Sequence, residues 1–317
     1  MSRNWIRSWD LQVGDGGSSV DLSKMRIRFL MRHWTTQSTN PGEFRIYNLS
    51  DRSAQQIGGK NMEHKKVRFQ AGYEGNVGTI YQGEILQPRI GRESPTETFV
   101  DLYCRDGDQA YNWGVVNKTF KPGSTQQDHV DEVLRVMKQF GVKKGRIEGL
   151  SKKKYPRSVT LYGMARDIMR TIAMSNESTW HILSGELNHI PNGAEGKGGG
   201  GAFVLNANTG LIGMPQETLQ GIIVTALINP RFKIESQLVI NEKSIQRAAW
   251  GTNYDAEVTG GQLETLGTAD GTYTIKAIEW RGDTHGPEWY ATMVCIGSKT
   301  GALPSGQTGL AYPYTGN

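Results

Sequence analysis

A chain of 317 residues is long enough for two or three domains, each able to bury a core. Forty glycines, eight tryptophans and twelve tyrosines, set among many short alternating runs, favour a loop-rich, mainly β protein over a helical one. A net charge of +5 is compatible with nucleic acid or an acidic protein surface but is also an ordinary solubility state, and no window reaches the roughly 18 apolar residues of a membrane span, so membrane insertion is not expected.

The N-terminal stretch lacks the apolar segment of a secretory signal, which places the chain in a cytoplasm as it is made. Residues 1–106 then read as strands. Met25, Ile27, Phe29 and Met31 alternate with Arg26, Arg28 and Arg32, the period of a half-buried strand with a basic outer face. Phe44 to Leu49 follows as a strand, and Ser50 to Ile57 reads as one short helix capped by Ser or Asp. Val67, Phe69, Ala71 and Tyr73 alternate again, and Thr79 to Ile85 and Thr96 to Cys104 add two more strands. Five or six short strands with one small helix make a barrel or sandwich.

Between residues 107 and 203 the period changes to 3.6. Val130, Val133, Leu134 and Met137 share a helix face, Ser124 with Gln127 offers a capping box, and Gly141 marks the stop. A second helix is expected from Val159 to Met174, with Leu161, Met164, Ala165, Ile168 and Ile172 on one face. Thr179 to Ile190 reads as a hairpin turning at Ser184-Gly185, and Asn192 to Gly201 as a flexible exit. This middle segment is an α+β module.

Residues 204–317 return to strands. Gly210, Gly213 and Pro215 punctuate a loop, and the run Ile222 to Ile228, closed by Asn229-Pro230, reads as a strand buried on both faces. Phe232 to Ile240 is expected to be extended, and Tyr273 to Trp280 with Trp289 to Ile296 forms a hairpin. Trp280, at a strand end beside the polar loop, reads as a residue that serves an oligomer interface as well as a core.

No catalytic constellation emerges, so an enzyme is not expected. Cys104 and Cys295 lie far apart without a CxxC pair and read as two free buried thiols, and the six histidines show no metal-ligand spacing; His181 and His189 face one another across a hairpin without a third ligand. No cofactor and no metal are expected. Lys197 is followed by Gly, not by the hydroxyl residue a phosphate-binding loop needs. Glu84, Glu97, Asp101, Asp106 and Asp108 crowd the end of the first segment, and a cell-wall lytic enzyme would need two of them convergent in a cleft; as loop acids they read as solvated turn formers. Arg281-Gly282-Asp283 reads as a turn between strands. The strongest charge feature is Lys143 to Arg157, where Lys152, Lys153 and Lys154 stand in a row with Glu148 as the one acid. A nucleic-acid module would use it with Tyr155 stacking on a base, but interleaved aromatics are missing, so a solvated loop between two helices or a contact with an acidic neighbouring subunit is the better reading, and no specific nucleic acid is expected.

Several stretches together resemble the baseplate hub proteins of long-tailed, especially contractile-tailed, bacteriophages: GEFRIYNLS, VRFQAGYEGNVGTIYQGEI and FVDLYCRDGD in the first segment, LYGMARDIMRTIAMSNESTWHI in the middle, and GLIGMPQETLQGIIVTALINPRF with DGTYTIKAIEWRGDTHGPEWYATMVCIG in the last. The resemblance implies two tail-tube-like β-barrel domains, 1–106 and 204–317, flanking a small α+β domain, 107–203. It also implies a homotrimer in the virion tail baseplate, assembled in the host cytoplasm, that joins the tail tube protein to a central spike protein, with the tape measure protein and baseplate wedge as further neighbours. Trp280, Lys152, Lys153 and Lys154 are then the candidate interface residues. Ile234-Glu235-Ser236 stands where the family often has Pro-Gly, so the shape of that corner departs from the pattern.

Overall fold

Period-2 alternation produces a strand where the sequence places one around Met25 to Met31: β1 (Arg7–Val13) and β2 (Val20–Asp21), not expected from the sequence, come first, then β3 (Ile27–Trp34) and β4 (Pro41–Tyr47) precede the helix α1 (Asp51–Gly58). Along β3 the side chains of Ile27, Phe29, Met31 and His33 turn inward. Ser50 caps α1 by accepting from the Ser53 N–H. β5 (Lys66–Tyr73), β6 (Asn76–Arg92) and β7 (Thr98–Arg105) complete the segment. The computed structural model describes residues 6–14, 19–59, 62–192, 202–218, 221–240 and 272–297.

The middle of the chain runs α2 (Asp108–Trp113), β8 (Val115–Phe120), α3 (Gln126–Met137), β9 (Lys143–Ile147), β10 (Val159–Met164), α4 (Ala165–Ser175), β11 (Ser178–Leu183) and β12 (Glu186–Pro191). The hairpin turns at Ser184-Gly185 as expected. Two expectations change. The capping box belongs to Thr125 and Asp128, one residue further on than Ser124 and Gln127. The second helix begins only at Ala165, because Val159 to Met164 pairs antiparallel with β8; the ladder overrides a helical spacing that the apolar residues alone would satisfy.

The last part contains β13 (Ala202–Leu205), β14 (Leu211–Thr218), β15 (Gly221–Leu227), β16 (Gln237–Ile240), β17 (Thr272–Asp283) and β18 (Trp289–Gly297). Gly213 and Pro215 sit within β14, not in a loop, because the register against β15 shifts between Ile212 and Gln216 and absorbs them as a bulge. β15 is buried on one face only: Ile222, Val224, Ala226 and Ile228 are enclosed, while Ile223, Thr225 and Leu227 are half-buried. Phe232 to Ser236 is turned rather than extended, with Ser236 N–H donating to the Lys233 carbonyl, and strand geometry starts at Gln237. Glu235 makes that corner at φ 66°, and its carboxylate pairs with Lys276 at 3.1 Å.

Among the described residues one 13-stranded sheet takes strands from both ends of the chain, in the order β14-β15-β18-β17-β3-β4-β7-β6-β5-β1-β2, with β13 and β16 attached beside β17. The join is β3 against β17, antiparallel from Arg28↔Asp283 to Trp34↔Ala277. A row of aromatic rings crosses it: Trp289 to Phe29 at 5.3 Å, Phe29 to Phe69 at 4.7 Å, Phe69 to Phe44 at 5.4 Å, and Phe44 to Tyr81 at 5.7 Å. The middle unit has a separate apolar cluster, including Val130, Val133, Met137, Met169 and Trp180.

Ile228 and Trp280, each 1% exposed, belong to the sheet's cluster. Truncating either to Ala is expected to cost about 2 to 5 kcal/mol, read as a lower chemical-denaturation midpoint.

Candidate functional site

The chain enters the middle unit at Asp106-Gly107. Gly107 takes φ 64°, and a Cβ there would lie 2.8 Å from Ile182, so the close approach of β11 depends on this glycine. Asp106 is buried and accepts from the Ser184 and Gly185 N–H groups, the latter at 3.0 Å. Burial pushes its carboxyl up to about 7 despite those donors. Asn40 Nδ2 donates to the Ile182 carbonyl at 2.9 Å, and the Tyr111 hydroxyl to the Gln37 carbonyl at 3.0 Å. These bonds fix the middle unit against the sheet.

Beside them lies a cleft of about 400 Å³, lined among others by His33, Lys144, Arg146, His181, Glu235 and Trp280. Trp280 is enclosed within this chain, where it stacks on Phe232 at 6.4 Å as part of the sheet's apolar cluster. His181 and His189 do not face each other. His181 is opposite Asn188 and His189 opposite Trp180, which puts the two imidazoles on opposite faces of the hairpin. His189 Nδ1–H donates to the Glu148 carbonyl at 2.7 Å, and its Nε2 lies 2.7 Å from Ser178 Oγ. His181 instead shares the cleft with His33, a residue that sequence reasoning passed over although its phase on β3, two after Met31, points inward.

The acids at the end of the first segment have separate structural partners rather than a common cleft. Asp101 takes Arg45 in a two-point pair at 2.7 and 3.0 Å, Glu84 accepts from the Gln109 N–H at 3.1 Å, and Asp108 accepts from Asn112 at 3.1 Å. Glu97 lies 3.9 Å from Arg26. Asp283 is buried and paired with Arg26 at 2.8 Å, so Arg281-Gly282-Asp283 is the end of β17 and not a turn. Cys104 and Cys295 are free and buried, and burial pushes both thiols up. Among the described residues no group of three or more His, Cys, Asp or Glu is placed to hold a metal ion. Gly193 to Gly201, with Lys197, lies outside the described residues.

The basic segment is not a simple loop between helices. Lys143 and Lys144 lie on β9, and Lys152, Lys153, Lys154 and Arg157 are exposed on the connection to β10. That connection is tied down: Ser151 N–H donates to Gln126 Oε1 at 2.7 Å, Tyr155 N–H to the Ser124 carbonyl at 2.9 Å, and Gly123 N–H to the Tyr155 carbonyl at 2.8 Å. The Tyr155 ring stacks on His129 at 5.0 Å, so it is engaged within the fold rather than presented to a base.

The architecture matches known structures. A 43 kDa tail protein of prophage MuSo2 from Shewanella oneidensis aligns with a TM-score of 0.57 at 9% identity, over 92% of this chain and 97% of that one. The chain has a phage tail-protein fold. A tail protein from Neisseria meningitidis gives 0.55 at 8% identity over 92% and 97% of the two chains. An Escherichia coli component of the type VI secretion system, described as structurally similar to the bacteriophage T4 tail proteins gp27 and gp5, gives 0.54 at 10% identity over 93% and 79%. No protein-family model and no curated protein sequence matches the chain.

Two outcomes are expected here. Replacing Lys152, Lys153 and Lys154 together by Ala should leave the denaturation midpoint within about 0.5 kcal/mol per residue of the parent, since exposed charges carry little stability. Asp106 holds its proton more tightly folded than unfolded, so its contribution is complete below the ordinary carboxylate value of 3.8 and is lost as pH rises through about 7. Denaturation at pH 5 and pH 8 should therefore show the parent losing stability with rising pH relative to Asp106→Asn.

Proposed function

We propose that the chain is a non-enzymatic, structural subunit of a phage tail baseplate hub. In this reading three copies form a ring that joins the tail tube to the central spike, helps initiate tube assembly and allows DNA passage. Residues 1–106 and 204–317 each supply a tube-like β-barrel, and 107–203 the α+β domain between them. The tail tube protein and the central spike protein are direct partners, and the tape measure protein and baseplate wedge are further neighbours. The protein resides in the virion tail baseplate after assembly in the host cytoplasm. Lys152, Lys153 and Lys154 serve as a docking face for an acidic neighbouring subunit.

The observation that carries this reading is the near full-length agreement with the prophage tail protein, 92% of one chain on 97% of the other. The likeness to a secretion component itself compared with T4 tail proteins gp27 and gp5 supports a structural role in a tail.

Mass photometry of the purified chain tests it. The expected result is a species of three times the 35.1 kDa subunit mass. A chain that stays monomeric throughout, alone and mixed with a tail tube protein, counts against the hub reading.

A further inference from the structure

The sheet and the middle unit each enclose an apolar cluster of their own, and much of what meets between them is polar. On the sheet side stands His33, near the end of β3, stacked on Tyr81 at a ring distance of 6.0 Å. On the other side stands His181, within β11. Both line the same cleft, both are buried, at 6% and 2% exposure, and a charge on His181 opposes one on His33. Among the described residues, His33 Nε2 and His181 Nδ1 have no hydrogen-bond partner, nor have Trp280 Nε1 and Arg146 Nη1 beside them. A buried polar atom left unpaired is a standing cost that contact with water removes. Four such atoms therefore favour an open seam, against the few bonds that Asn40, Asp106 and Tyr111 make across it.

From this geometry we propose that the seam is an acid-opened joint: when His33 and His181 take up protons, the middle unit lifts away from the sheet while both apolar clusters stay folded.

The surrounding charges give the imidazolium forms little support. Lys276 on β17, Lys144 and Arg146 on β9, and Lys233 in the turn before β16 are all cations. Of the acids, Glu235 is committed to Lys276 at 3.1 Å, and Glu186 is an exposed residue of the cleft. Tyr81 stays neutral, its hydroxyl pushed far up by burial. Asp106 works in the opposite sense, since its proton goes on near pH 7 and favours the closed seam; once neutral, it no longer offers a charge to offset the imidazoles. Two imidazoles gaining charge against one carboxyl losing it leave the balance toward opening.

Burial and neighbouring positive charge hold both histidines down to about 4, from 6.5. A histidine whose value is lower when enclosed than when free makes the open form bind protons more tightly. The imidazoles' part in closing the seam is at full strength above 6.5 and weakens as pH falls from there toward about 4.

Amide hydrogen exchange on the full chain at pH 7.5 and 4.5, corrected for intrinsic rates, is the test. Protection over residues 180–186 and 229–236 is expected to drop at least tenfold at pH 4.5, while β4 and α3 keep theirs. In a His33→Gln/His181→Asn variant, where of these three groups only Asp106 still titrates, the seam should be at least as well protected at pH 4.5 as at pH 7.5. Since that double replacement can fail to fold, the imidazole resonances of the unaltered protein are followed by NMR in parallel; both should titrate below 6.5, together with the loss of seam protection. Seam exchange independent of pH, loss of protection in both clusters at once, imidazoles titrating at the free value, or a folded double variant that opens like its parent would each overturn the proposal.

Discussion

The antiparallel pairing of β3 with β17 is the contact on which the remaining structure depends. It joins strands from the two ends of the chain into one sheet and aligns the aromatic row from Trp289 through Phe29, Phe69 and Phe44 to Tyr81. Edge-to-face and tilted rings of this kind add to the area they bury, so the row orients as well as fills the core. Charge pairs fasten the same join from the outside: Arg32 meets Glu279 at 2.8 Å, directly across the register, and Arg26 meets Asp283 at 2.8 Å. Asp283 is the tighter anchor because it is nearly enclosed and also accepts from the His285 N–H at 2.9 Å. Arg26, His285 and burial act on its carboxyl, and the outcome is a value below the ordinary carboxylate range.

The middle unit is held differently. Its own cluster surrounds α3 and α4, and it is attached to the sheet by backbone-directed bonds involving Asn40, Glu84, Asp106 and Tyr111, the His64–Trp113 ring contact at 4.8 Å, and Leu183 packed on the sheet's cluster, beside the cleft. The exposed lysines of the 148–158 connection sit on this unit, on a segment pinned to the start of α3 by Ser151, Tyr155 and Gly123. Their charge is thus presented from a fixed frame. Pre-ordered charge of this sort lowers the entropy lost when a partner docks, and steers the approach of an acidic surface more than it tightens the final complex.

Much of this was legible in the sequence wherever one face of an element dominates. Ile27, Phe29 and Met31 in β3, Val67, Phe69 and Ala71 in β5, and Val130, Val133 and Met137 in α3 show their period directly. The misreadings have local causes. Leu161 and Met164 fit a helical spacing with Ile168 and Ile172, yet the Thr160-Leu161-Tyr162 backbone pairs with β8, and pairing is a tertiary fact. Ser124-x-x-Gln127 and Thr125-x-x-Asp128 both satisfy a capping box, and only the side-chain geometry chooses the second. Gly213 and Pro215 signal a break, which β14 accommodates as a bulge. The burial of Trp280 within the chain was not legible from its place at a strand end, because β17 runs on to Asp283 and Phe232 stacks on the ring. The meeting of His33 with His181 was illegible for another reason: it joins two units far apart in sequence, and no periodicity reports on such a pair.

The β3–β17 join also dictates an order of events during synthesis. Arg26 and Asp283 stand 257 positions apart, so the ribosome releases β3 long before its partner exists. Until then one hydrogen-bonding edge of β3 is open, and an open strand edge with Phe29 and Met31 beside it invites pairing with other chains. The α+β unit, whose cluster draws on residues between Ala110 and Leu187, meets no such delay and can close while the last third is still being made. The nascent chain therefore carries a folded middle and a waiting first sheet, and its hazard of misassembly ends only when β17 emerges and adds itself to β3.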